Sequence, residues 1–238
     1  ANPGLKPERA NTYSFGVLAD VGPVSLTADW WRIDKRDNIS SITLSSAVDH
    51  GFVAQVGPRY YIYTTLQNIA QVMTEGVDLD ARSAISFGDS GKLQLRNSAT
   101  YYMRLRSRNA GDAEWGNFLS TYASPRWRNV ISVAWDRGPW RANVALRSVA
   151  GFYEGDTAIV AGGNARRRVG AYDETDISVR YSGRRNVEVF GGVKNLFDRM
   201  PPFSVTNTSS NAYTQLGFAE MYDARGRFFY CGLNYRFR

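Results

Sequence analysis

The sequence contains very few of the residues that most enzymes and metal sites require. It has one cysteine, Cys231, and one histidine, His50, in 238 residues. A single cysteine excludes an internal disulfide and a cysteine-based metal cluster. His50 lies beside Asp49 in a long predicted loop, and no set of nucleophile, base and orienting group can be placed around it. We therefore predict that the chain is not an enzyme and has no cofactor or metal ion.

Long apolar runs are also missing. No stretch approaches the roughly 18 consecutive apolar residues of a membrane helix. The first residues, ANPGLKPERA, lack the apolar segment of a signal peptide, so the start is typical of the middle of a longer chain. Yet 43% of the residues are hydrophobic and 13% are aromatic, which excludes a disordered chain.

Acidic residues are outnumbered, with 22 Asp and Glu against 29 Lys and Arg, for a net charge of +7. Such a charge suits nucleic acid, an anionic membrane surface or an anionic ligand. The arginines are spread along predicted strands and loops, and no basic helix or nucleic-acid motif is present. We therefore expect no nucleic-acid partner.

What the sequence has in abundance is a two-residue alternation of apolar and polar side chains. Residues 92–106 read KLQLRNSATYYMRLR, in which every second residue from Leu93 is apolar except Asn97. That period, bounded by turn residues, is typical of antiparallel strands. It predicts nine strands, at 12–21, 24–36, 67–87, 92–107, 128–136, 140–153, 172–181, 186–195 and 226–238.

The connections between these predicted strands alternate between short and long. The long ones lie near 37–66, 108–127, 154–171 and 196–225. In a meander this places all short turns at one end and all long loops at the other, as in an outer-membrane barrel. A soluble β-sandwich is the alternative, but sandwich strands usually have about 5–6 residues, whereas a membrane barrel strand needs about 9–11. The sequence thus predicts an all-β fold, a segment of an antiparallel transmembrane barrel.

A barrel gives each strand a lipid face and a lumen face. We predict that Leu93, Leu95, Tyr101 and Met103 point away from the lumen. Arg96, Arg104 and Arg106 then line a wet interior, since each would cost about 2–4 kcal/mol at mid-bilayer on the lipid face. Aromatic residues near strand ends favour the membrane interface. The expected members of this girdle are Trp30, Trp31, Trp135, Trp140, Tyr181, Tyr235 and Phe237.

Three segments resemble those of TonB-dependent outer-membrane receptors. NPGLKPE (Asn2–Glu8) is similar to their Asn-Pro-x-Leu-Lys-Pro-Glu segment. NIAQVMTEGVDLDA (Asn68–Ala81) is similar to a strand in which an Asn precedes a Gly-Val and acidic alternation. VKNLFD (Val193–Asp198) is similar to the Asn-Leu-Phe-Asp motif near the end of the penultimate strand. Their order and spacing support the resemblance over essentially the whole chain.

The final segment, GRFFYCGLNYRF, resembles the last strand of the same receptors. Gly232, Tyr235 and Phe237 match the C-terminal assembly signal of outer-membrane barrels, which the barrel-assembly machinery recognises. Arg238 departs from the pattern, because such chains usually stop at the aromatic residue. The resemblance implies that these three residues direct assembly.

The resemblance implies a barrel of 22 strands, filled by an N-terminal plug and energised by the inner-membrane TonB complex. Residues 1–238 correspond to the C-terminal portion of that barrel, its last nine strands, with the plug absent. An odd count and two open edges agree with an incomplete barrel, since single-chain bacterial barrels have even counts and hydrocarbon does not tolerate unpaired backbone. A split receptor completed by another polypeptide is the alternative.

The implied function is active uptake, across the outer membrane of a Gram-negative bacterium, of an iron–siderophore, haem, cobalamin or a carbohydrate. A passive porin, an adhesin-type barrel and a soluble carbohydrate-binding sandwich are the alternatives. Fold does not identify the ligand, because specificity lies in variable loops and plug contacts.

Two sets of loop residues are candidates for external contacts. Arg166, Arg167 and Arg168 form a basic run suited to lipopolysaccharide phosphates or to an anionic ligand, or simply to a solvated loop. Aromatic loop residues suit either a platform for a siderophore or sugar, or packing among the loops. These are Tyr60, Tyr61, Tyr63, Trp115 and Tyr213.

Overall fold

The computed structural model describes residues 3–40, 53–62, 66–109, 114–121, 124–154, 167–204 and 221–237. Within these ranges no helix has the length and apolarity needed to cross a membrane. One 3-10 turn covers Gly88–Ser90. The strands are β1 (Arg9–Val21), β2 (Val24–Ser40), β3 (Val53–Val56), β4 (Arg59–Ile62), β5 (Gln67–Ser86), β6 (Lys92–Asn109), β7 (Gly116–Asn117), β8 (Trp127–Arg137), β9 (Trp140–Val149), β10 (Phe152–Tyr153), β11 (Arg168–Val169), β12 (Tyr172–Arg184), β13 (Val187–Lys194) and β14 (Phe228–Tyr235).

Nine long strands pair in chain order as one antiparallel meander, β1-β2-β5-β6-β8-β9-β12-β13-β14. The predicted nine strands and the all-β class are confirmed, and the sandwich alternative is wrong because these strands form one continuous sheet. Several predicted bounds differ by three or four residues, as at β1, which begins at Arg9, and β2, which ends at Ser40. The strand predicted at 140–153 ends at Val149, since Phe152–Tyr153 turns away to pair with Arg168–Val169. The last strand covers Phe228–Tyr235 rather than 226–238.

The meander has two unlike ends. At the short-turn end, tight turns join β1 to β2, β5 to β6, β8 to β9 and β12 to β13. Gly22 and Gly138 in these turns have φ of 58° and 54°, a left-handed conformation that glycine adopts without a steric penalty. At the long-loop end lie the longer connections, with the small strands β3, β4, β7, β10 and β11. The predicted segregation of short and long connections is confirmed.

The sheet has two chemically different faces because side chains alternate along each strand. We call the face that carries Leu95 the outer face and the face that carries Arg96 the inner face. Leu95 opposes Ser83 on one side and Val133 on the other. The same register row crosses the whole outer face. It consists of Val21, Val24, Ser83, Leu95, Val133, Val144, Ile177, Val193 and Phe229.

Large apolar side chains are exposed on the outer face, while the buried core is small and lies elsewhere. Phe15 is 70% exposed and Leu233 is 64% exposed. Among the residues that the structure describes, the hydrophobic core is a cluster at the long-loop end, formed by Phe152, Val169, Tyr172 and Tyr222. A continuous apolar surface of this extent indicates contact with lipid or another protein.

An extra residue in β6 reverses its alternation near the long-loop end. Gly76 of β5 opposes Tyr102, but Glu75 opposes Arg104, which leaves Met103 as an unpaired bulge residue. Arg104 therefore shares the outer face with Glu75, and its Nη1 lies 3.4 Å from Glu75 Oε2. The prediction that Arg104 and the following Arg106 line the interior is wrong, and Met103 stands outside the regular alternation.

The structure places several members of the predicted aromatic girdle on the outer face, and their position at a membrane interface stays a prediction. One outer-face register row near the long-loop end contains Phe15, Trp30, Val77, Tyr101 and Trp127. Near the short-turn end, the outer face carries Trp135, Trp140 and Tyr181. Trp31 does not belong to the girdle, because it opposes Gly76 on the inner face and packs edge-on against Tyr102 at 5.7 Å.

Candidate functional site

The inner face is lined by ion pairs, beginning near the short-turn end. Asp80 lies 2.5 Å from Arg82 Nε and 3.5 Å from Arg96 Nη2. Asp136 lies 2.6 Å from Arg141 Nε and accepts a hydrogen bond from Gln94 Nε2, also at 2.6 Å. Arg82 lies two residues from Asp80 on β5, and the other partners come from neighbouring strands, so the alternation that makes the outer face apolar assembles these pairs.

The ion-paired wall continues towards the long-loop end. Arg147 bridges Glu174 at 3.1 Å and Asp176 at 2.6 Å. Back near the short-turn end, Arg180 lies 3.4 Å from Glu188, which also accepts a hydrogen bond from Asn234. Exposed pairs of this kind add little stability. Their arrangement instead makes the inner face a polar surface with both hydrogen-bond donors and acceptors.

A cavity of about 220 Å³ opens on the inner face near the long-loop end. The bulge in β6 contributes to it, because Leu105 follows Met103 on the inner face, beside Tyr102. The cavity combines apolar walls, a phenol and one guanidinium, a set suited to a ligand with an aromatic part and a negative charge. Its lining is Tyr102, Leu105, Leu119, Ser124, Pro125 and Arg128.

The Asn-Leu-Phe-Asp segment forms a turn at the end of β13 that side-chain hydrogen bonds stabilise. Asn195 is 3% exposed and has φ of 50°. Its side-chain oxygen accepts a hydrogen bond from the Arg199 N–H at 2.9 Å, and its Nδ2 donates to the Arg199 carbonyl at 2.9 Å. Asp198 Oδ1 accepts a hydrogen bond from the Arg227 N–H at 2.8 Å, just before β14. The motif therefore fixes both ends of the connection from β13 to β14.

Asn195→Ala should destabilise the barrel at its long-loop end. The change leaves the Arg199 N–H without its partner, at about 1–3 kcal/mol, and places alanine in a left-handed conformation, while the Arg199 carbonyl keeps the hydrogen bond from the Tyr172 hydroxyl. Thermal unfolding of the full-length receptor in detergent should shift to lower temperature. Asn234→Ala, which removes one exposed hydrogen bond, should change it far less. Equal shifts would contradict the role of the turn.

Two other recognised segments contact each other, although 62 residues separate them. The Lys6 N–H donates to Asn68 Oδ1 at 2.7 Å, and Asn68 Nδ2 donates to the Lys6 carbonyl at 2.8 Å and to the Asp37 carbonyl at 2.8 Å. Glu8 accepts a hydrogen bond from the Ile39 N–H at 2.7 Å. Asn68 thus ties the segment before β1 to the ends of β2 and β5. The sequence identified both segments but gave no sign of this contact.

The loop arginines predicted for external contacts are only partly covered by the described residues. Arg166 lies outside them, as does His50. Arg167 pairs with Glu154 at 2.5 Å and donates to the Phe203 carbonyl at 2.8 Å. Arg168 belongs to β11. A ligand or lipopolysaccharide contact through Arg166, Arg167 and Arg168 stays a prediction.

The aromatic candidates are similarly divided, since Tyr63 and Tyr213 lie outside the described residues. Tyr60 and Tyr61 are exposed in β4. The Arg108 guanidinium lies over the Trp115 ring, with its Cζ 5.0 Å from the centroid of the ring. An aromatic platform formed by these residues stays a prediction.

The long-loop end contains a pair of packed tyrosine rings and, next to it in sequence, an exposed ion pair between Asp223 and Arg225. Tyr172 and Tyr222 pack with ring centroids 5.0 Å apart, and burial raises the pKa of Tyr222 to about 12. Hydrogen bonds from Arg225 lower the pKa of Asp223 to about 2. Because the Asp223 pKa is depressed, its contribution to stability is present above the ordinary pKa of aspartate and is lost as the pH falls towards 2.

The proposed assembly signal lies at the opposite end of the sheet. A side chain at Gly232 would collide with the Phe190 ring on the neighbouring strand, so that ring would have to move if the glycine were replaced. Tyr235 ends β14, and its ring centroid lies 4.7 Å from that of Phe237. The role of these residues in assembly stays a prediction.

Comparisons with solved structures find the same architecture. The ferric enterobactin receptor PfeA of Pseudomonas aeruginosa matches with a TM-score of 0.65 and 17% identity, over 99% of this chain and 32% of the receptor. The siderophore receptor PirA of Acinetobacter baumannii matches with a TM-score of 0.66 and 17% identity, over 98% and 32%. The iron transporter FrpB of Neisseria meningitidis matches with a TM-score of 0.65 and 16% identity, over 98% and 32%.

This chain therefore spans about a third of the length of the solved receptors that it resembles. A comparison with curated protein sequences finds no match. The sequence pattern of the family described as "TonB dependent receptor-like, beta-barrel" matches residues 1–196. The ion-paired inner face, the apolar outer face and the meander are the features of such a barrel wall, and the chain belongs to the family of TonB-dependent receptor β-barrels.

Proposed function

We propose that this chain forms part of the wall of an energy-dependent outer-membrane importer. The observation that carries the proposal is the division of one sheet into an apolar outer face and an ion-paired inner face. A membrane barrel requires apolar side chains towards lipid and tolerates charge towards a wet interior. The short-turn end then faces the periplasm and the long-loop end faces the outside.

Further strands complete the barrel in this proposal. Among the described residues, β1 and β14 each pair with a neighbour on one side only. An open strand edge leaves a row of unpaired backbone groups, which hydrocarbon does not tolerate. Residues 1–238 are then the C-terminal portion of a barrel of about 22 strands, the size typical of plugged outer-membrane transporters.

In this proposal the inner face contacts a plug domain, and the cavity binds the ligand. A polar plug domain fits the wall, because side chains such as Arg147 and Asp136 offer it donors and acceptors. The TonB complex contacts the receptor through a part outside this chain. The cavity beside Arg128 fits an anionic ligand with an aromatic part. An iron–siderophore is the ligand class that we propose first, and the names of PfeA, PirA and FrpB agree with an iron-related cargo.

Uptake measured in cells tests this function. The full-length receptor, expressed in a strain that lacks its own iron receptors, should accumulate radiolabelled iron from a siderophore panel. Accumulation should disappear when TonB is deleted, because an active importer depends on it. Labelled haem, cobalamin and oligosaccharides are tested in the same way as alternative ligands. Uptake that persists without TonB would contradict the proposal and identify a passive porin.

A further inference from the structure

The outer face changes character just beyond the aromatic row at the long-loop end. The next outer-face register row reads Tyr13, Arg32, Glu75 and Arg104, and the row after it reads Asn11, Asp34, Met73 and Arg106. Beyond these, Arg9 opposes Arg36, and Gln71 opposes Arg108. We define the arginine collar as the six outer-face arginines in these positions: Arg9, Arg32, Arg36, Arg104, Arg106 and Arg108.

The collar depends on the bulge at Met103. Without the extra residue, Arg104 and Arg106 would follow Arg96 onto the inner face. With it, both join Arg32 on the outer face, on the far side of the row that contains Trp30 and Tyr101. From Leu93 to Tyr101 the strand rises about 27 Å at roughly 3.4 Å per residue. That length is enough, with tilt, to cross much of an apolar band about 25 Å tall, so the collar lies at headgroup level.

The carboxylates of this surface are fewer than its guanidinium groups and already have partners. Asp34 accepts hydrogen bonds from Arg32 Nε at 3.0 and 3.1 Å. Glu75 is 7% exposed, accepts a hydrogen bond from Trp30 Nε1 at 3.2 Å and lies 3.4 Å from Arg104. Within the described ranges, no carboxylate lies within ion-pair distance of Arg36 or Arg106. The collar therefore carries an excess of positive charge. The Glu75 carboxylate contacts the collar at Arg104.

We propose that the arginine collar binds the phosphate groups of lipopolysaccharide headgroups in the leaflet around the long-loop end. Guanidinium groups bind phosphate through paired, charge-assisted hydrogen bonds, and a planar fork fits two phosphate oxygens. The proposal rests on the proposed function, because that function places the long-loop end in the outer leaflet. It assigns the lipid contact to Arg36, Arg104 and Arg106, separately from the ion-paired loop residue Arg167.

Native mass spectrometry of the full-length receptor in detergent tests the collar. The probes are bisphosphorylated lipid A, the same lipid with both phosphates removed, and inorganic phosphate as a competitor. Wild-type receptor should bind the phosphorylated lipid at least about tenfold more tightly than the dephosphorylated one, a difference of about 1.4 kcal/mol. Arg36→Gln, Arg104→Gln and Arg106→Gln combined should remove that preference.

The matched control removes three inner-face charges through Arg82→Gln, Arg96→Gln and Arg141→Gln, and it should keep the preference for phosphorylated lipid. Equal binding of both lipids by wild type would overturn the proposal even if the collar variant fails to fold. Displacement of the lipid by millimolar phosphate would also overturn it, since that identifies a site for the free anion. Failure of the receptor to fractionate with the outer membrane would instead refute the proposed function.

Discussion

Replacing Leu95 by arginine should remove most of the folded receptor from the membrane, whereas Gln94→Arg should leave it nearly unchanged. The two residues are neighbours on β6 but face opposite ways. Leu95 lies between Ser83 and Val133 in the apolar row, and an arginine there would cost about 2–4 kcal/mol at mid-bilayer. Gln94 faces Asp136 on the inner face, where a guanidinium gains a carboxylate partner.

Both variants should be made in the full-length receptor and measured in outer-membrane fractions. Folded barrels resist unfolding in detergent at room temperature and migrate differently after boiling, so the folded fraction can be read directly from a gel. Similar losses for the two variants would mean that the outer and inner faces are assigned incorrectly. A larger loss for Gln94→Arg would reverse the assignment.

Phe237→Ala should lower the amount of receptor that reaches the outer membrane severalfold, with little change in ligand affinity for each inserted molecule. Phe237 is 88% exposed beyond the last strand, and its ring touches that of Tyr235. An aromatic ring at that position favours the membrane interface. It lies at the short-turn end, far from the cavity beside Arg128, so assembly and binding should respond separately.

Phe229→Ala is the matched control for this prediction. Phe229 lies near the start of β14, the strand that leads to Phe237, and is 68% exposed, so its truncation removes a similar apolar surface at the other end of that strand. Surface-exposed receptor should be quantified by labelling intact cells, and ligand affinity should be measured per labelled molecule. Normal insertion of the Phe237 variant with weakened binding would contradict the assignment of the two ends.

Most of the sheet could be predicted from local sequence. A strand with lipid on one side and water on the other needs apolar and polar side chains that alternate with a period of two. The run from Leu93 to Tyr101 alternates cleanly, and turn residues such as Gly22 and Pro23 mark where the chain reverses. These signals need only neighbouring residues, which explains why the strand number and the two ends were predictable.

The bulge could not be predicted, because the sequence after Tyr102 continues to alternate as though nothing changes. Met103 and Leu105 are both apolar, and the arginines keep their spacing of two. The reversal is visible only in the pairing with Glu75 on the neighbouring strand. The contact between Lys6 and Asn68 escapes local reasoning for the same reason, since it depends on which strand ends the meander brings together.

The register row through Leu95 runs obliquely across the sheet, from one end of the strands towards the other. It leaves the sheet at Val21, the last residue of β1, and emerges at Phe229, close to the opposite end of β14. Crossing eight strand spacings of about 4.8 Å, it travels about 38 Å. If the row spans an apolar band about 25 Å tall, it is inclined to the membrane plane by about 40°, which is within the range of strand tilts in outer-membrane barrels. In such a barrel, depth in the bilayer would advance by about 3 Å at each strand, so two directly paired residues would lie at different depths.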